Sequence, residues 1–191
     1  MRKNIARVLL YTACAVLVVF YILVLWWGKN PKVGTEYRMY YLTHELTDWP
    51  GYGNLKYTFG TKRYVQNIKT VMVKNKAMSA VSKGQGWQKS KRYEGTKNTD
   101  KDSYIYYIPE ESADNIYLVC DITEYDTTAF GDKGIEVYVN DKLIGNIDSK
   151  GTTKLKVGYV SGDELLTVKF HADNAEYTLY SISLDKGQAE T

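Results

Sequence analysis

The segment IYLVCDIT, residues 116–123, decides the fold class of this 191-residue chain. Apolar side chains occupy every second position from Ile116 to Ile122, and mainly polar or amphipathic residues fill the positions between them. Side chains two residues apart on an extended strand lie on the same face, so this alternation predicts a strand with one buried face. Val119 is the one departure from the pattern.

The same two-residue period recurs in residues 135–139 and 166–170, whereas helical periodicity is nearly absent after residue 27. Asn140 and Asp141 tolerate positive φ, so residues 135–147 are predicted to form a hairpin closed by a tight turn. Further predicted strands are residues 55–59, 70–74, 103–108, 153–157 and 177–184. Short strands separated by turn signals indicate an all-β domain, and we expect an antiparallel β-sandwich.

A second pattern precedes this domain: VLLYTACAVLVVFYILVLWW, residues 8–27, contains no charged residue. A helix needs about 20 apolar residues to cross a bilayer core about 30 Å thick, and this run has that length. Arg2, Lys3 and Arg7 precede the run, and the run ends in two tryptophans, which favour a membrane interface. We therefore predict a single transmembrane helix with a cytoplasmic N terminus.

Two other interpretations of the apolar run were weighed. A cleaved signal peptide needs a shorter apolar region and small residues at its cleavage site, and residues 26–29 (WWGK) offer no such site. A lipoprotein signal ending at Cys14 would leave only residues 8–10 as its apolar core. An uncleaved anchor in the plasma membrane, with an extracytoplasmic C-terminal domain, is the expected arrangement.

These patterns predict five regions: a cytoplasmic terminus (1–7), a transmembrane helix (8–27), a juxtamembrane stalk or loop (28–54), the β-sandwich (55–184) and a frayed tail (185–191). Residues 1–32 hold five of the 25 basic residues and no acid, leaving 20 basic residues against 22 acids in the remainder. The basic charge of the whole chain is thus a signal of membrane topology, and no nucleic-acid partner is predicted.

The sequence contains no catalytic motif, such as a nucleophile elbow, a phosphate-binding loop or a Cys-x-x-Cys pair. His44 and His171 are interpreted as surface residues, and His171 falls on the solvent side of its predicted strand. Glu110 and Glu111 are adjacent and fit a turn after Pro109. We expect no enzymatic activity; a glycan-active enzyme that uses two carboxylates remains an alternative.

One set of residues has the spacing of metal ligands. Asn98, Asp100 and Asp102 alternate in a predicted loop, as calcium ligands do. The glycine and the distal glutamate of a complete calcium loop are absent from this stretch. We therefore expect no cofactor, and calcium is the one alternative for which the sequence offers candidate ligands.

Aromatic content is the main chemical signal, with 18 Tyr and four Trp. Their rings combine an apolar face with a polar edge, which suits stacking on sugars as well as contact with proteins. Most of the tyrosines are interpreted as cross-strand pairs. The candidate ligand-binding residues are those in predicted loops, Trp49, Tyr52, Trp87 and Tyr93, although Trp87 could instead close the core.

Several short motifs between residues 83 and 184 carry a resemblance to a known class of domain. They are KGQGW (83–87), Glu94-Gly95, VYVND (137–141) with Gly145, and Asn174-Ala175. In this order they resemble the jelly-roll, galactose-binding-like modules of bacterial sugar-binding proteins. They are most similar to the extracytoplasmic β-domains attached to polytopic membrane proteins that glycosylate or assemble envelope polymers. Thr96 and Asp141 depart from that pattern, standing in place of an aromatic residue and the hairpin glycine.

The resemblance implies a jelly-roll domain at a bacterial cell envelope. The similar proteins carry their transferase chemistry in many membrane helices, whereas this chain offers one predicted span. Two roles follow from the resemblance. The domain binds an envelope polysaccharide near the membrane, or it serves as an accessory subunit that docks on a separate polytopic membrane protein.

Overall fold

The computed structural model describes residues 2–29, 32–47, 49–64, 82–83, 85–88, 95–127 and 134–187. Internal contacts divide the chain into two compact units, residues 1–34 and 35–191. The first contains one helix, α1 (Arg2–Lys29), within which Arg7–Lys29 is long and apolar enough to cross a membrane. A signal sequence near an N terminus can meet the same criteria of length and apolar composition.

The second unit is built from strands, apart from a short helical segment at its start. That segment consists of α2 (Thr35–Tyr37) and a π-helical turn (Arg38–Leu42). The strands are β1 (Lys56–Tyr57), β2 (Arg63–Tyr64), β3 (Ser82–Lys83), β4 (Thr96–Lys97), β5 (Asp102–Pro109), β6 (Ala113–Thr127), β7 (Ile135–Val139), β8 (Lys142–Ile147), β9 (Gly151–Val160), β10 (Leu166–His171) and β11 (Ala175–Lys186).

The strands form two sheets in which antiparallel pairing dominates. The first sheet has the order β1-β5-β10-β7-β8, and β3 also pairs with β5. The second has the order β2-β11-β6-β9, and β4 also pairs with β11. Of the strand pairs in the described part of the chain, only β1 with β5 is parallel. The prediction of an apolar helix followed by a β-rich domain with mainly antiparallel sheets is confirmed.

The core confirms the alternation from which the fold class was predicted. Ile116, Leu118, Cys120 and Ile122 are at most 1% exposed, and they belong to one apolar cluster to which both sheets contribute. Burying an aliphatic side chain stabilises a fold by about 1.5–3 kcal/mol. This cluster is therefore the main source of stability, and Cys120, the one described cysteine of the second unit, lies inside it as a free thiol.

The predicted hairpin is also confirmed, because Asn140 and Asp141 both have positive φ between paired β7 and β8. The predicted strands 103–108, 153–157 and 177–184 lie within longer strands, and β11 continues to Lys186. Residues 55–59 form a strand only at Lys56–Tyr57. The predicted strand 70–74 lies outside the described residues.

Residues 35–55, which overlap the predicted juxtamembrane stalk or loop, begin as a helix, and their described part packs on the first sheet. Met39, Leu46 and Leu55 are buried in a second apolar cluster with Tyr106 and Ile108 of β5. These β5 residues face away from the main core, so β5 is buried on both faces. The segment therefore belongs to the same compact unit as the sheets.

Candidate ligand-binding site

Five aromatic side chains gather on the segment that covers β5. We call this group the aromatic cluster: Tyr37, Tyr40, Tyr41, Trp49 and Tyr52. Its ring centroids lie between 4.6 and 6.4 Å apart in the contacting pairs. This range is typical of favourable aromatic pairs, which are worth about 0.5–1.5 kcal/mol beyond their buried area.

The helical turn explains how three of the rings come together. Tyr37, Tyr40 and Tyr41 are spaced three and four residues apart, so a helical backbone places them on one face. Met39 points the other way and is buried against the sheet. The same turn thus anchors the segment through Met39, with Tyr40 packed partly against the same apolar cluster, and leaves Tyr41 exposed.

Trp49 and Tyr52 complete the cluster from the loop that follows. Their rings are 5.5 Å apart and nearly perpendicular, at 87°. Trp49 is half-buried, whereas Tyr52 is 78% exposed and Tyr41 is 50% exposed. The structure therefore brings together two of the predicted binding residues, Trp49 and Tyr52, at an aromatic surface open to solvent.

A buried carboxylate holds this loop in place. Glu36 of α2 is only 8% exposed, and its Oε1 accepts a hydrogen bond from the backbone N–H of Gly53 at 3.1 Å. Gly53 has a φ of 70°, in the left-handed region that favours glycine. The Glu36 side chain consequently fixes the backbone next to Tyr52.

Trp87, the third predicted binding residue, lies in the core. It is 8% exposed, its Nε1–H donates to the carbonyl oxygen of Tyr104 at 2.8 Å, and its ring packs against Phe170 and Tyr177 at 5.8 Å. With its face covered and its polar edge bonded, the ring is closed to a ligand. This corrects the binding assignment in favour of the alternative in which Trp87 closes the core.

The fourth predicted binding residue, Tyr93, lies outside the described residues. The calcium candidates have separate partners. Asn98 Oδ1 accepts from the backbone N–H of Tyr177, whereas Asp102 Oδ1 lies 2.7 Å from His171 Nδ1. Asp100 is exposed. In the described ranges, no group of three His, Cys, Asp or Glu side chains has the arrangement of a metal site.

His171 lies on the outer face of the first sheet, as its strand position predicts. Its Nε2 lies 3.6 Å from Asp173, and Asp173 in turn pairs with Lys101 at 2.7 Å. The ammonium of Lys101, through its hydrogen bond, holds the pKa of the Asp173 carboxyl below its ordinary value. These exposed ion pairs form a short polar network at the end of β10 that contributes little to stability.

A polar groove of about 400 Å³ lies on the second sheet, where β4, β6 and β11 meet. It contains three carboxylates, Glu124, Asp126 and Glu176, of which the last two face each other across paired strands. Glu124 accepts a hydrogen bond from Thr178 at 2.7 Å, and Glu176 pairs with Lys97. The hydrogen bond to Glu176 raises the pKa of Lys97, in keeping with this pairing.

Sequence reasoning missed Glu36 and the three tyrosines of the helical turn. A signal for the tyrosines was present, because their spacing of three and four residues is helical rather than strand-like. No comparable signal existed for Glu36, because its burial depends on the loop that folds over it.

Comparisons with known proteins place the chain in no family. No protein-family model matches it, and no curated protein sequence matches it. Among solved structures, it is similar to part of a β-glucosidase from Kluyveromyces marxianus, with a TM-score of 0.29 and 14% sequence identity. That similarity covers 53% of this chain and 11% of the β-glucosidase chain. At this level of similarity, the β-glucosidase supports no conclusion about fold or function.

Proposed function

We propose that this chain is a membrane-anchored binding module that holds a polysaccharide of a bacterial cell envelope. In this proposal α1 is an uncleaved anchor with a cytoplasmic N terminus, and the two sheets form an extracytoplasmic sandwich of the jelly-roll type. The basic residues before the apolar run and the tryptophans at its end support this orientation. The proposed role is binding rather than catalysis.

The observation that carries the proposal is the exposed pair Trp49 and Tyr52. Tyr52 offers an open ring face, and the perpendicular Trp49 stands beside it. Sugar rings stack on such faces through their C–H groups, while polar ring edges bond hydroxyls. Because Glu36 fixes the backbone at Gly53, the loop is held before a ligand arrives, which lowers the entropy lost on binding.

Full-length protein in a polyoxyethylene detergent, which carries no sugar, should be titrated against a panel of immobilised envelope polysaccharides. We expect binding to at least one, and a loss of about tenfold in affinity for Tyr52→Ala and Trp49→Ala, equivalent to about 1.4 kcal/mol. Tyr159→Ala is the matched control, because Tyr159 is also an exposed tyrosine (64%) but lies on β9. An equal loss in all three variants would contradict a site at the aromatic cluster.

A second candidate function is an accessory subunit of a polytopic membrane protein. It is favoured by Leu42, which is 48% exposed beside Tyr41 and gives that edge of the surface an apolar character suited to protein contact. Leu42→Ser should weaken capture of a protein partner from detergent extracts and leave polysaccharide binding unchanged. Replacing residues 8–27 with an unrelated span should abolish the association if the helix contributes to it, while the β-domain still folds.

A further inference from the structure

Glu36 is an unusual residue in this protein, because it is a carboxylate that is more than nine-tenths buried. Glutamate is almost never buried to this degree unless a cation or several hydrogen-bond donors compensate its charge. Among the described residues, no lysine, arginine or histidine forms an ion pair with Glu36. Its one hydrogen bond among the described residues comes from Gly53, to Oε1, which leaves Oε2 free to pair with a ligand.

Aromatic residues of the cluster adjoin Glu36 and its hydrogen-bond partner along the chain. Tyr37 follows it in α2 and contacts Trp49 at 6.4 Å, while Tyr52 precedes the glycine to which Glu36 is bonded. The electron-rich faces of tryptophan and tyrosine attract cations, most strongly when water is excluded. A carboxylate bonded to the loop that carries exposed aromatic rings is an arrangement that suits an organic cation.

The charge of the segment favours the same kind of ligand. Residues 35–55 contain three acids, Glu36, Glu45 and Asp48, and Arg38 as the one lysine or arginine. Arg38 is exposed. An anionic ligand would meet net negative charge here, whereas a cationic ligand would pair with it.

We propose that the group bound at the aromatic cluster is an alkylated ammonium, such as the trimethylammonium of choline. Its methyl groups contact the faces of Trp49 and Tyr52, and its charge is balanced by Glu36. A quaternary ammonium suits this site better than a lysine ammonium because its weaker hydration lowers the cost of leaving water. This inference rests on the proposed function, since it names the group that the polysaccharide carries at that site.

The test uses full-length protein in polyoxyethylene detergent, which contains neither choline nor sugar. Choline is titrated and its methyl signal is followed by saturation-transfer NMR, beside 3,3-dimethylbutan-1-ol, a neutral molecule of the same shape. We expect choline to bind at least about tenfold more tightly than the neutral molecule. Equal binding of the two would overturn the proposal.

Glu36→Gln is the sharpest variant, because the amide oxygen can still accept the Gly53 N–H while the charge is removed. We expect it to weaken choline binding by about tenfold and to leave binding of the neutral molecule unchanged. Tyr52→Ala should weaken choline binding, and because Tyr52 is exposed, the substitution should not impair folding. Tyr159→Ala, at another exposed tyrosine, is the control and should not change choline binding. Unchanged choline binding in Glu36→Gln would overturn the role of the carboxylate.

Choline groups occur on polysaccharides and on lipids, and two further probes separate these sources. The first comparison measures binding to a choline-substituted polysaccharide and to the same polymer after removal of choline. The second measures binding to phosphatidylcholine vesicles and to phosphatidylglycerol vesicles. Preference for either choline-bearing probe supports the cation site. If the polymer binds equally well without choline, the proposed cation site is wrong while the proposed function stands. If free choline and the phosphatidylcholine vesicles bind but no polysaccharide does, the cation site stands while the proposed function is wrong.

Discussion

Trp49 and Trp87 both lie in glycine-containing turns, yet the structure uses them in opposite ways. Trp87 is a core residue with a bonded indole N–H, whereas Trp49 is half-buried in a surface cluster of tyrosines. Loop position alone therefore does not distinguish a binding tryptophan from a structural one. The backbone on either side of each residue makes the difference.

The turn before Trp87 is bonded tightly to the start of β5. Gly86 accepts hydrogen bonds from Thr99 N and Ser103 Oγ, and Tyr104 N donates to the carbonyl oxygen of Gln85. Gly86 has a φ of 88°, and a Cβ at this position would collide with the backbone of Asp102. A glycine is needed for this close approach, and the approach directs the next side chain into the core.

The largest effect that separates the two tryptophans should appear in stability. We expect Trp87→Ala to lower the free energy of unfolding by about 3–5 kcal/mol, because it leaves a cavity beside Phe170 and Tyr177. Trp49→Ala should cost less than about 2 kcal/mol, since its ring is already partly in water. Urea titration of the full-length protein in detergent, followed by circular dichroism, measures both. A larger loss for Trp49 would reverse the assignment of the two residues.

The sequence predicted the strands well where one face is buried and the other is not. In β6, β7 and β10 the alternation directly reflects that environment, and the Asn140-Asp141 turn carries its own conformational signal. The packing of segment 35–55 on β5 was not predicted. β5 is buried on both faces, and local periodicity does not reveal which segment covers its outer face. Two residues of the candidate site, Trp49 and Tyr52, were predictable from residue type. Glu36 was not, because its burial is a property of tertiary packing.

Alkaline pH should separate buried tyrosines from those at the surface. Burial raises the pKa of Tyr57 and of Tyr106 to about 12, from an ordinary value of 10.0. Between pH 10 and 12 these two tyrosines are ionised in the unfolded chain but still protonated in the folded protein. The free energy of unfolding therefore falls as the pH rises through this range. Each residue should remove about 2–3 kcal/mol by pH 12.

Urea titrations at pH 9 and pH 11.5 check this expectation, and tyrosinate absorbance at 295 nm reports the ionisation itself. Tyr106 lies under the segment that carries the aromatic cluster, so Tyr106→Phe should restore part of the alkaline loss. Tyr52→Phe is the control at an exposed position and should restore none. If Tyr106→Phe behaved like the control, the segment 35–55 would not be packed on β5 as described.

The smallest expected effect distinguishes two core tyrosines whose rings are 4.8 Å apart. Tyr57 Oη donates to the carbonyl oxygen of Thr61 and accepts from Leu184 N, whereas the buried Tyr107 Oη has no hydrogen-bond partner among the described residues. Tyr57→Phe should therefore cost about 1–3 kcal/mol, because it leaves a buried N–H unpaired. Tyr107→Phe should raise the free energy of unfolding by about 1 kcal/mol, because it removes a hydroxyl that was desolvated without compensation. Both variants delete the same atom, the hydroxyl oxygen, from neighbouring rings, and urea titrations at pH 7 measure their free energies of unfolding. Changes of opposite sign would trace the difference to hydrogen bonding. Equal losses of stability would mean that the Tyr107 hydroxyl has a hydrogen-bond partner.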